Sequence, residues 1–598
     1  MRVCDYIAKF IYEKGTEDVF MLSGGGIMHL TDGLACHKEL KIYCLHHEQS
    51  VSMAMEAYSR LIGKMGVGYF TTGPGATNAI TGLAGAWLDS VPCLFISGQV
   101  KRREAIYTMG IPGIRQVGVQ EINILPIVES ITKYAVFVDK PEDIRFHLEK
   151  AYYLAREGRP GPVWLDIPLD VQGALVDPDS LRGFQEPDGV QKENAFSVKE
   201  ALDYLLSAKR PVILAGQGVR ISGAIGPLLK LVEDYHIPVV TSFLGIDVID
   251  SQHPCYAGRI GIKGDRAGNL TIQNSDCVLA LGTSLPVAET GYEYDHFARE
   301  AKVIVVDIDM SSHQKKMIKI DLKIQADITV FLKKLACSSE DCLKAFDRTW
   351  LSRCISWRQK YPVCLDEYTN AKDQVNIYFF IESLSTKLDK KDVVVTDTGS
   401  AFYAGSQGIK IKQGLRYVTS GGLVTMGYSL PAAFGLSVAL GKKRVMCITG
   451  DGSFQQNIQE LQSVMHYDLP VKIFVLNNQG YLSIRSSQNK YFQGRLIGEG
   501  ETSGISFPDH KKIAKAYGMK FFRVKKNAEL DKILDEVLQY DGPVFCEIMT
   551  PPEQLIVPTV SSEKRSDGSM CSKPLEDMFP FLERKEFLDN MIVAPLPE

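Results

Sequence analysis

The sequence lacks the features that would place it on a membrane or on nucleic acid. Across 598 residues, no apolar run approaches the roughly 18 residues that a membrane-spanning helix needs. Lys and Arg (67) nearly balance Asp and Glu (71), which gives a net charge of −4. A chain with this balance has no basic footprint for DNA, RNA or an anionic membrane surface. We therefore expect neither nucleic acid nor a membrane among its partners.

The cysteines also lack the pattern of a disulfide framework or a zinc site. They are odd in number (13), scattered, and include no Cys-x-x-Cys pair. Charged residues interrupt the N-terminal stretch at 1–15, so it lacks the apolar centre of a signal peptide. Together these observations predict reduced thiols in a cytoplasmic protein.

What the sequence does contain is a repeated alternation of short apolar runs with helix-like stretches. This pattern favours parallel sheets that are covered by helices on both faces. The fold class that it predicts is α/β, with three doubly wound parallel-sheet domains. We expect them at residues 1–180, 190–340 and 365–555, with a polar linker at 187–193 and a tail at 556–598 that lies on the surface or over a site. The runs that we interpret as strands are 19–22, 67–71, 93–97, 163–167, 211–216, 237–241, 277–282, 303–309, 393–395, 444–450, 471–476 and 544–548.

The sharpest motif is Gly450-Asp451-Gly452-Ser453, which follows one buried strand, together with Asn477-Asn478, which ends the next. Open α/β sheets bind ligands beyond the carboxyl ends of their strands. Glycines there let backbone N–H groups approach a phosphate, and the following helix N-terminus favours negative charge. Asp451 and Asn478 carry the hard oxygen donors that Mg²⁺ prefers. Gly-Asp-Gly alone is a common turn, but the pair of motifs predicts a metal–diphosphate site.

This pair of motifs resembles the signature of thiamine diphosphate enzymes, and the resemblance covers most of the chain. It is strongest to the catalytic subunits of acetolactate synthases. The resemblance implies a pyrimidine-binding domain, a middle domain and a diphosphate-binding domain, in that order. The further motifs that carry it lie at 72–78 (Thr-Gly-Pro-Gly-Ala-Thr-Asn), 88–92 (Leu-Asp-Ser-Val-Pro), 97–100 (Ser-Gly-Gln-Val), 130–133 (Ser-Ile-Thr-Lys), 419–423 (Thr-Ser-Gly-Gly-Leu) and 426–427 (Met-Gly).

The resemblance assigns catalysis to Glu48, Gln99 and Gln120. Glu48 would hold the far nitrogen of the cofactor's pyrimidine ring, a role that suits a partly buried carboxyl group with a raised pKa. Without the cofactor motif, Glu48 would be read as an acid that complements a helix N-terminus. The two glutamines would line the reaction pocket, although structural glutamines at the surface are the ordinary alternative.

The resemblance also implies a set of cofactor and metal contacts. Mg²⁺ would be held by Asp451, Asn478 and Gly480. Because Glu48 would come from one subunit and Asp451 from the other, the resemblance implies a homodimer or homotetramer with its active sites between chains. The residues implied to bind thiamine diphosphate are Gly73, Asn78, Gly399, Ser400, Gly422, Leu423, Met426, Gly450, Gly452, Ser453 and Tyr481.

Three positions depart from the synthase pattern. Val119 replaces a phenylalanine, Leu169 replaces a lysine, and Ser487 replaces a tryptophan that crowds the acceptor. The loss of aromatic volume predicts a roomier acceptor pocket, and Arg485 is then a candidate partner for an anionic group such as a phosphate. The resemblance leaves a bound FAD in the middle domain open, because Gly-x-Gly at 216–218 is retained while the family's Arg-rich element is replaced by 282–288.

The expected activity is that of a carboligase, a transferase or lyase. It would decarboxylate a 2-keto acid such as pyruvate and transfer the acyl unit to a carbonyl acceptor, as acetolactate synthase does. One alternative is transfer to a larger acceptor, such as a nucleotide-linked keto sugar. A simple 2-keto acid decarboxylase or oxidase is a second alternative, and a non-catalytic homologue is a third. Intact Glu48, Asp451 and Asn478 argue against the last.

Overall fold

The chain folds around three six-stranded parallel sheets, which confirms the predicted fold class. The computed structural model describes residues 1–187, 198–339, 346–564 and 568–596. Most of the predicted linker, residues 188–193, therefore lies outside the described residues. No helix in the described ranges is long and apolar enough to cross a membrane.

The first sheet has the strand order β2-β1-β3-β4-β6-β5. Its strands are β1 Asp18–Met21, β2 Lys41–Cys44, β3 Gly66–Phe70, β4 Cys93–Gln99, β5 Tyr134–Phe137 and β6 Val163–Pro168. The helices around it are Val3–Glu13, Met28–Cys36, Glu48–Ile62, Pro74–Asn78, Ile80–Leu88, Ile106–Met109, Leu125–Val128, Ile144–Arg156 and Leu169–Gln172.

The second sheet has the order β12-β11-β10-β7-β8-β9. Its strands are β7 Pro211–Ala215, β8 Val239–Thr241, β9 Tyr256–Arg259, β10 Cys277–Leu281, β11 Lys302–Asp307 and β12 Leu322–Gln325. Its helices are Lys199–Ser207, Gly218–Ile221, Ile225–Tyr235, Arg266–Gln273, Val287–Thr290 and Ile328–Ser339. The segment that leads to the third sheet contains the helices Arg348–Lys360 and Asp366–Thr369.

The third sheet has the order β14-β13-β15-β16-β18-β17, which repeats the connectivity of the first. Its strands are β13 Val393–Thr396, β14 Arg416–Thr419, β15 Val445–Gly450, β16 Val471–Asn477, β17 Lys520–Val524 and β18 Val544–Met549. Its helices are Ile377–Lys387, Gly399–Gly408, Ser429–Ala439, Asp451–Phe454, Glu460–His466, Leu482–Tyr491, His510–Ala516 and Asn527–Gln539.

The first and third sheets are joined by one hydrophobic core that contains residues of both. At its centre the helix Glu48–Ile62 packs on the helix Ser429–Ala439. The first helix begins where the His47 side chain accepts a hydrogen bond from the Gln49 N–H (3.0 Å), and it ends at Gly63 in the left-handed conformation. Both helices are buried on most of their surface because both lie between two sheets.

The C-terminal tail is a packed element rather than a loose extension. After β18 the strands β19 Ser562–Lys564 and β20 Met570–Ser572 pair antiparallel, and the helix Arg584–Asn590 follows. The buried Glu576 accepts from Gln273 (2.6 Å) and pairs with Arg299 (2.7 Å), both in the middle domain. The tail therefore lies mainly against the middle domain.

The contact between the two central helices predicts the effect of enlarging Gly435. A Cβ atom at this position would lie 2.0 Å from the carbonyl oxygen of Ala54. Gly435→Val should therefore push the helices apart and lower the free energy of unfolding by about 2 kcal/mol or more. Chemical denaturation measures this change. Gly226→Ala is the control, because nothing lies within 4 Å of the added atom, and equal effects of the two substitutions would contradict the expectation.

Candidate functional site

The loop after β15 buries a carboxylate that backbone N–H groups hold. Asp451 begins the helix Asp451–Phe454, and its oxygens accept hydrogen bonds from the backbone N–H groups of Gly452 (2.8 Å) and Gly480 (3.2 Å). In the described part of the chain it forms no ion pair with Lys or Arg. Burial raises the pKa of Asp451 to about 6, and the two N–H donors only partly oppose this shift. A divalent cation is the kind of partner that would stabilise the ionised form.

The loop after β16 supplies a second oxygen next to Asp451. Asn478 is buried, and its side-chain Oδ1 has no hydrogen-bond partner. Gly480 follows with φ +151, and its N–H reaches the Asp451 carboxylate. A buried acceptor without a donor is unfavourable unless a ligand or water completes it. Asp451 and Asn478 thus lie at neighbouring strand ends, as the sequence predicted, with an acceptor available at each.

The side of the site that is predicted to bind the diphosphate contains helix N-termini and glycines. Gly399, with φ +63, begins the ten-residue helix Gly399–Gly408, whose second residue is the buried Ser400. The first N–H groups of such a helix have no partner within the helix and favour anions. Gly452 is required for a different reason, because a Cβ there would lie 2.0 Å from the ring of Tyr481. Nothing lies within 4 Å of a Cβ built on Gly450, so this glycine borders open space.

A buried acid that the sequence analysis missed connects these loops. Asp397 lies directly after β13 and accepts hydrogen bonds from the hydroxyls of Ser453 (2.6 Å), Ser429 (2.8 Å) and Thr449 (3.0 Å). Ser453 in turn accepts from the N–H of Gly427 (2.8 Å). The Ser453 side chain is therefore engaged within the protein, which leaves its backbone for any contact with a cofactor. The sequence signal that could have identified Asp397 is an acidic residue between a buried strand and a glycine.

The predicted catalytic glutamate lies in the first domain beside Asn78, which the resemblance implied as a cofactor contact. Glu48 is the first residue of the helix Glu48–Ile62 and is 7% exposed. Its Oε2 accepts a hydrogen bond from Nδ2 of Asn78 (3.1 Å). Its Oε1 lies beside Gly75, where a Cβ would come within 3.3 Å. This arrangement leaves Oε1 as an acceptor for a ligand.

The two glutamines that the sequence assigned to the reaction pocket have different environments. Gln99 is buried, and its amide donates to Asp166 (3.0 Å) and to the carbonyl of Ile122 (2.9 Å). Gln120 is exposed in the left-handed conformation (φ +60), and its carbonyl packs so closely on Gly73 that a Cβ there would lie 2.1 Å away. Of the two, the Gln120 side chain is the one free to reach a substrate.

The segment after β14 is held by charged residues of the first domain. Asp89 accepts hydrogen bonds from the backbone N–H groups of Gly421 (3.1 Å) and Gly422 (2.8 Å), and it pairs with Arg60 (2.7 Å). Arg60 also pairs with Glu56 and donates to the carbonyl of Thr419 (3.2 Å). We define these three side chains, Glu56, Arg60 and Asp89, as the interdomain ion cluster. Beyond this anchored backbone, Leu423 is exposed and Met426 is half-buried.

One sequence-based hypothesis is wrong: Arg485 does not face a substrate. Its guanidinium is buried and pairs with Glu499 (2.5 Å). It also donates to the carbonyls of Asn478 (3.2 Å), Gln479 (3.0 Å) and Pro552 (2.7 Å). The sequence could not show that this arginine folds back onto the loop that precedes its own helix.

Comparison with protein families assigns each of the three sheets to one domain of the same kind of enzyme. The N-terminal thiamine pyrophosphate binding domain matches residues 1–127, the central domain matches 198–335, and the C-terminal binding domain matches 397–548. The acetolactate synthase large subunit of Cyanidium caldarium is 32% identical over 561 residues, covering 92% of this chain and 93% of that protein. This chain belongs to the thiamine pyrophosphate enzyme family.

Other relatives of this thiamine pyrophosphate enzyme come from distant organisms. The acetolactate synthase isozyme 2 large subunit of Escherichia coli K12 is 32% identical over 565 residues, covering 94% of this chain and 97% of that protein. A probable acetolactate synthase large subunit of Methanocaldococcus jannaschii is 32% identical over 568 residues, covering 93% of each chain. The similarity therefore extends over all three domains.

The geometry suits the two groups that this family implies. Asp451 and the unpartnered Oδ1 of Asn478 are hard oxygen donors of the type that Mg²⁺ selects, and the N-terminus of the helix Gly399–Gly408 suits a phosphate. Glu48 and Asn78 form a separate polar pair in the first domain. Among the described residues no hydrogen bond joins Glu48 to Asp451 or Asn478. The assignment of both ends to one cofactor, and the two-chain site, therefore remain predictions.

The unpartnered amide oxygen of Asn478 predicts a metal-dependent phenotype. Asn478→Ala removes one proposed ligand without adding bulk or charge. We expect the Mg²⁺ concentration needed for half-maximal thiamine diphosphate binding to rise at least about tenfold. Calorimetric titration of the cofactor at several Mg²⁺ concentrations measures this. Asn370→Ala changes an exposed position whose side chain bonds, among the described residues, only to the Asp366 carbonyl (2.8 Å), and it should leave binding unchanged. Wild-type metal dependence in Asn478→Ala would remove it from the ligand set.

Proposed function

We propose that this chain is a thiamine diphosphate- and Mg²⁺-dependent carboligase. It would decarboxylate a 2-keto acid such as pyruvate and transfer the acyl unit to a second carbonyl compound, as the names of its relatives suggest for acetolactate synthesis. The observation that carries the proposal is the pair of Asp451 and Asn478, a buried carboxylate and an unpartnered amide oxygen at adjacent strand ends. The buried Glu48 supplies the acid–base group that such chemistry needs.

The roles of the residues follow from their surroundings. When bound, the cofactor supplies an electron sink for the loss of CO₂ from the keto acid. Asp451, Asn478 and the Gly480 carbonyl would hold the metal, and the N–H groups at Gly399 and Ser400 would bind phosphate oxygens. Glu48 would hold or move a proton at Oε1, while Asn78 fixes the other carboxylate oxygen. Gln120 is the exposed side chain near Gly73 that could contact the substrate.

We propose that the active unit is a homodimer, with a homotetramer as its possible further assembly. Large apolar side chains beside the site support this, because Val119 is 85% exposed, Ile497 is 74% exposed and Leu423 is 37% exposed. A partner subunit that covered them would bury apolar surface and close the site to water. FAD stays open, because the glycines at 216–218 pack on Gly282 and so give it no independent support.

Glu48→Gln tests the central role of the carboxyl group. We expect acyl transfer to fall by at least about a hundredfold, because the amide cannot exchange a proton, while the binding of thiamine diphosphate is retained. Mass analysis of products from pyruvate, with and without added acceptors, measures the change. Glu17→Gln, an exposed glutamate of the same domain, is the control.

Mixing the Glu48→Gln and Asn478→Ala proteins tests the two-chain site. If one site takes Glu48 from one subunit and Asn478 from the other, a mixed dimer contains one intact site and recovers part of the activity.

Full activity in Glu48→Gln would contradict its catalytic role. Release of free aldehyde as the sole product would favour a decarboxylase, and consumption of oxygen together with a flavin absorption spectrum would favour an oxidase.

A second candidate is transfer to a larger, anionic acceptor, and two lysines favour the negative charge of that acceptor. Lys263 lies over the ring of Tyr403 (5.6 Å to its centre) and donates to the Ile556 carbonyl (2.9 Å), while Lys490 donates to Ser561 (2.9 Å). Neither forms an ion pair with a carboxylate in the described part of the chain. Burial, with the nearby charge of Lys490, lowers the pKa of Lys263 to about 8. A carboxylate or phosphate on the acceptor would provide the missing counter-charge.

Lys263→Gln distinguishes anionic from neutral acceptors. At saturating pyruvate, we expect the KM for 2-ketobutyrate to rise several-fold, because the acceptor carboxylate loses a positively charged partner. The KM for propanal, which lacks that carboxylate, should stay unchanged. Steady-state kinetics with both acceptors measures the difference, and Lys387→Gln, which removes a lysine already paired with Asp535, is the control. Equal changes for both acceptors would exclude Lys263 from recognising the anion.

A further inference from the structure

The loop that carries the proposed metal ligands is held from outside by a buried ion pair. This loop, residues 478–481, joins β16 to the helix Leu482–Tyr491. Arg485, one turn into that helix, folds back and donates to the carbonyls of Asn478 (3.2 Å) and Gln479 (3.0 Å). The arginine thereby fixes the backbone of the residue whose side-chain oxygen has no partner.

Glu499 holds the same loop together with Arg485. Its carboxylate pairs with Arg485 (2.5 Å), and its backbone carbonyl accepts from the N–H of Tyr481 (2.7 Å). Ser503 positions the glutamate, since its hydroxyl donates to the carboxylate (3.2 Å) and accepts from the Glu499 N–H (3.0 Å). Both charged residues are buried, with Glu499 2% exposed.

The close fit around Gly480 shows how little freedom this arrangement leaves. A Cβ at Gly480 would lie 2.1 Å from the Glu499 carbonyl oxygen and 2.4 Å from the Arg485 guanidinium. Two further N–H groups of the loop are also committed, since that of Gly480 reaches Asp451 (3.2 Å) and that of Gln479 reaches Asn477 (3.1 Å). A shift of the loop at Gly480 would therefore break a hydrogen bond or bring backbone atoms into contact with Glu499 or Arg485.

We propose that the Arg485–Glu499 pair positions the metal loop and thereby sets its affinity for Mg²⁺, although neither side chain contacts the metal. The inference rests on the proposed function, which makes Asp451 and Asn478 the metal ligands. Arg485 is a positioning residue rather than a substrate-binding one. Its guanidinium pairs with Glu499 and donates hydrogen bonds to carbonyls of the loop. Arg485 can therefore orient Asn478 without occupying the position of the metal.

The test compares the Mg²⁺ dependence of Arg485→Gln, Glu499→Gln and the double variant. The readout is the Mg²⁺ concentration for half-maximal binding of thiamine diphosphate, measured by calorimetry, together with kcat at saturating Mg²⁺. We expect a rise of about ten- to a hundredfold in that concentration in each single variant. At saturating metal, kcat should recover to within a few-fold of wild type. The double variant should be no worse than the single ones, because it leaves no unpaired buried charge.

The controls separate positioning from general damage to the fold. Arg495→Gln removes an exposed arginine of the same region, and it should behave as wild type. In the part of the chain that the structure describes, the Arg495 side chain bonds only to Gln493 (3.1 Å). If the charge variants do not fold, Ser503→Ala decides, because it removes one hydroxyl that orients Glu499 and should raise the Mg²⁺ requirement several-fold. Arg485→Lys should rescue the Mg²⁺ requirement only partly, since an ammonium cannot reproduce the guanidinium's spread of donors.

Two negative results have different meanings. A folded Arg485→Gln or Ser503→Ala protein that is less stable to heat but has an unchanged Mg²⁺ requirement would overturn the positioning role. If the wild-type protein itself binds thiamine diphosphate without Mg²⁺, or does not bind it, the proposed function fails first.

Discussion

The buried interdomain ion cluster is the interaction on which the arrangement of the site most depends. Arg60 pairs with Glu56 and Asp89 in the first domain and donates to a backbone carbonyl of the third. Asp89 extends the contact to the N–H groups of Gly421 and Gly422. A buried charge is tolerated only when it is paired and hydrogen-bonded, so these groups must stay together. The cluster therefore fixes the segment that leads to Met426 relative to the domain that carries Glu48.

At the candidate site, a buried acid follows each of two strands of the third sheet. Asp397 after β13 and Asp451 after β15 are acids buried beyond a parallel strand, and both accept hydrogen bonds from the segments that meet there. The carboxyl ends of neighbouring parallel strands lie at one edge of the sheet, so side chains distant in sequence converge. The Asp397 carboxylate accepts hydrogen bonds from protein hydroxyls, whereas the side-chain Oδ1 of Asn478 has no hydrogen-bond partner. That difference separates the structural acid from the candidate metal site.

The sequence predicted the four central strands of every sheet and missed both edge strands of each. The missed strands are β2, β5, β9, β12, β14 and β17. A central strand of a parallel sheet is buried on both faces and reads as a continuous apolar run, such as Val471–Asn477. Three of the six edge strands, Lys41–Cys44, Leu322–Gln325 and Lys520–Val524, have exposed positions, so their sequences lack that run.

The sequence could predict those site residues whose proposed role depends on lying at the end of a strand. Asp451 and Asn478 were found because the motif and the strand end coincide. The role of Arg485 could not be found, because its contacts depend on how one helix turns back on the preceding loop. Asp89 belongs to the motif at 88–92, but it pairs with a segment more than 300 residues later in the chain. This is a tertiary contact that no local sequence pattern contains.

The shared strand order of the first and third sheets makes the polypeptide resemble a symmetric dimer fused into one chain. The helices that pack at its centre follow the second strand of their respective sheets, β2 and β14. A close contact joins Ala54 to Gly435, which lie six residues after the helix starts Glu48 and Ser429. The contact therefore joins equivalent positions of the two helices, as an isologous contact between identical subunits does. Duplication of a single ancestral domain, followed by divergence of the two copies, would produce this architecture.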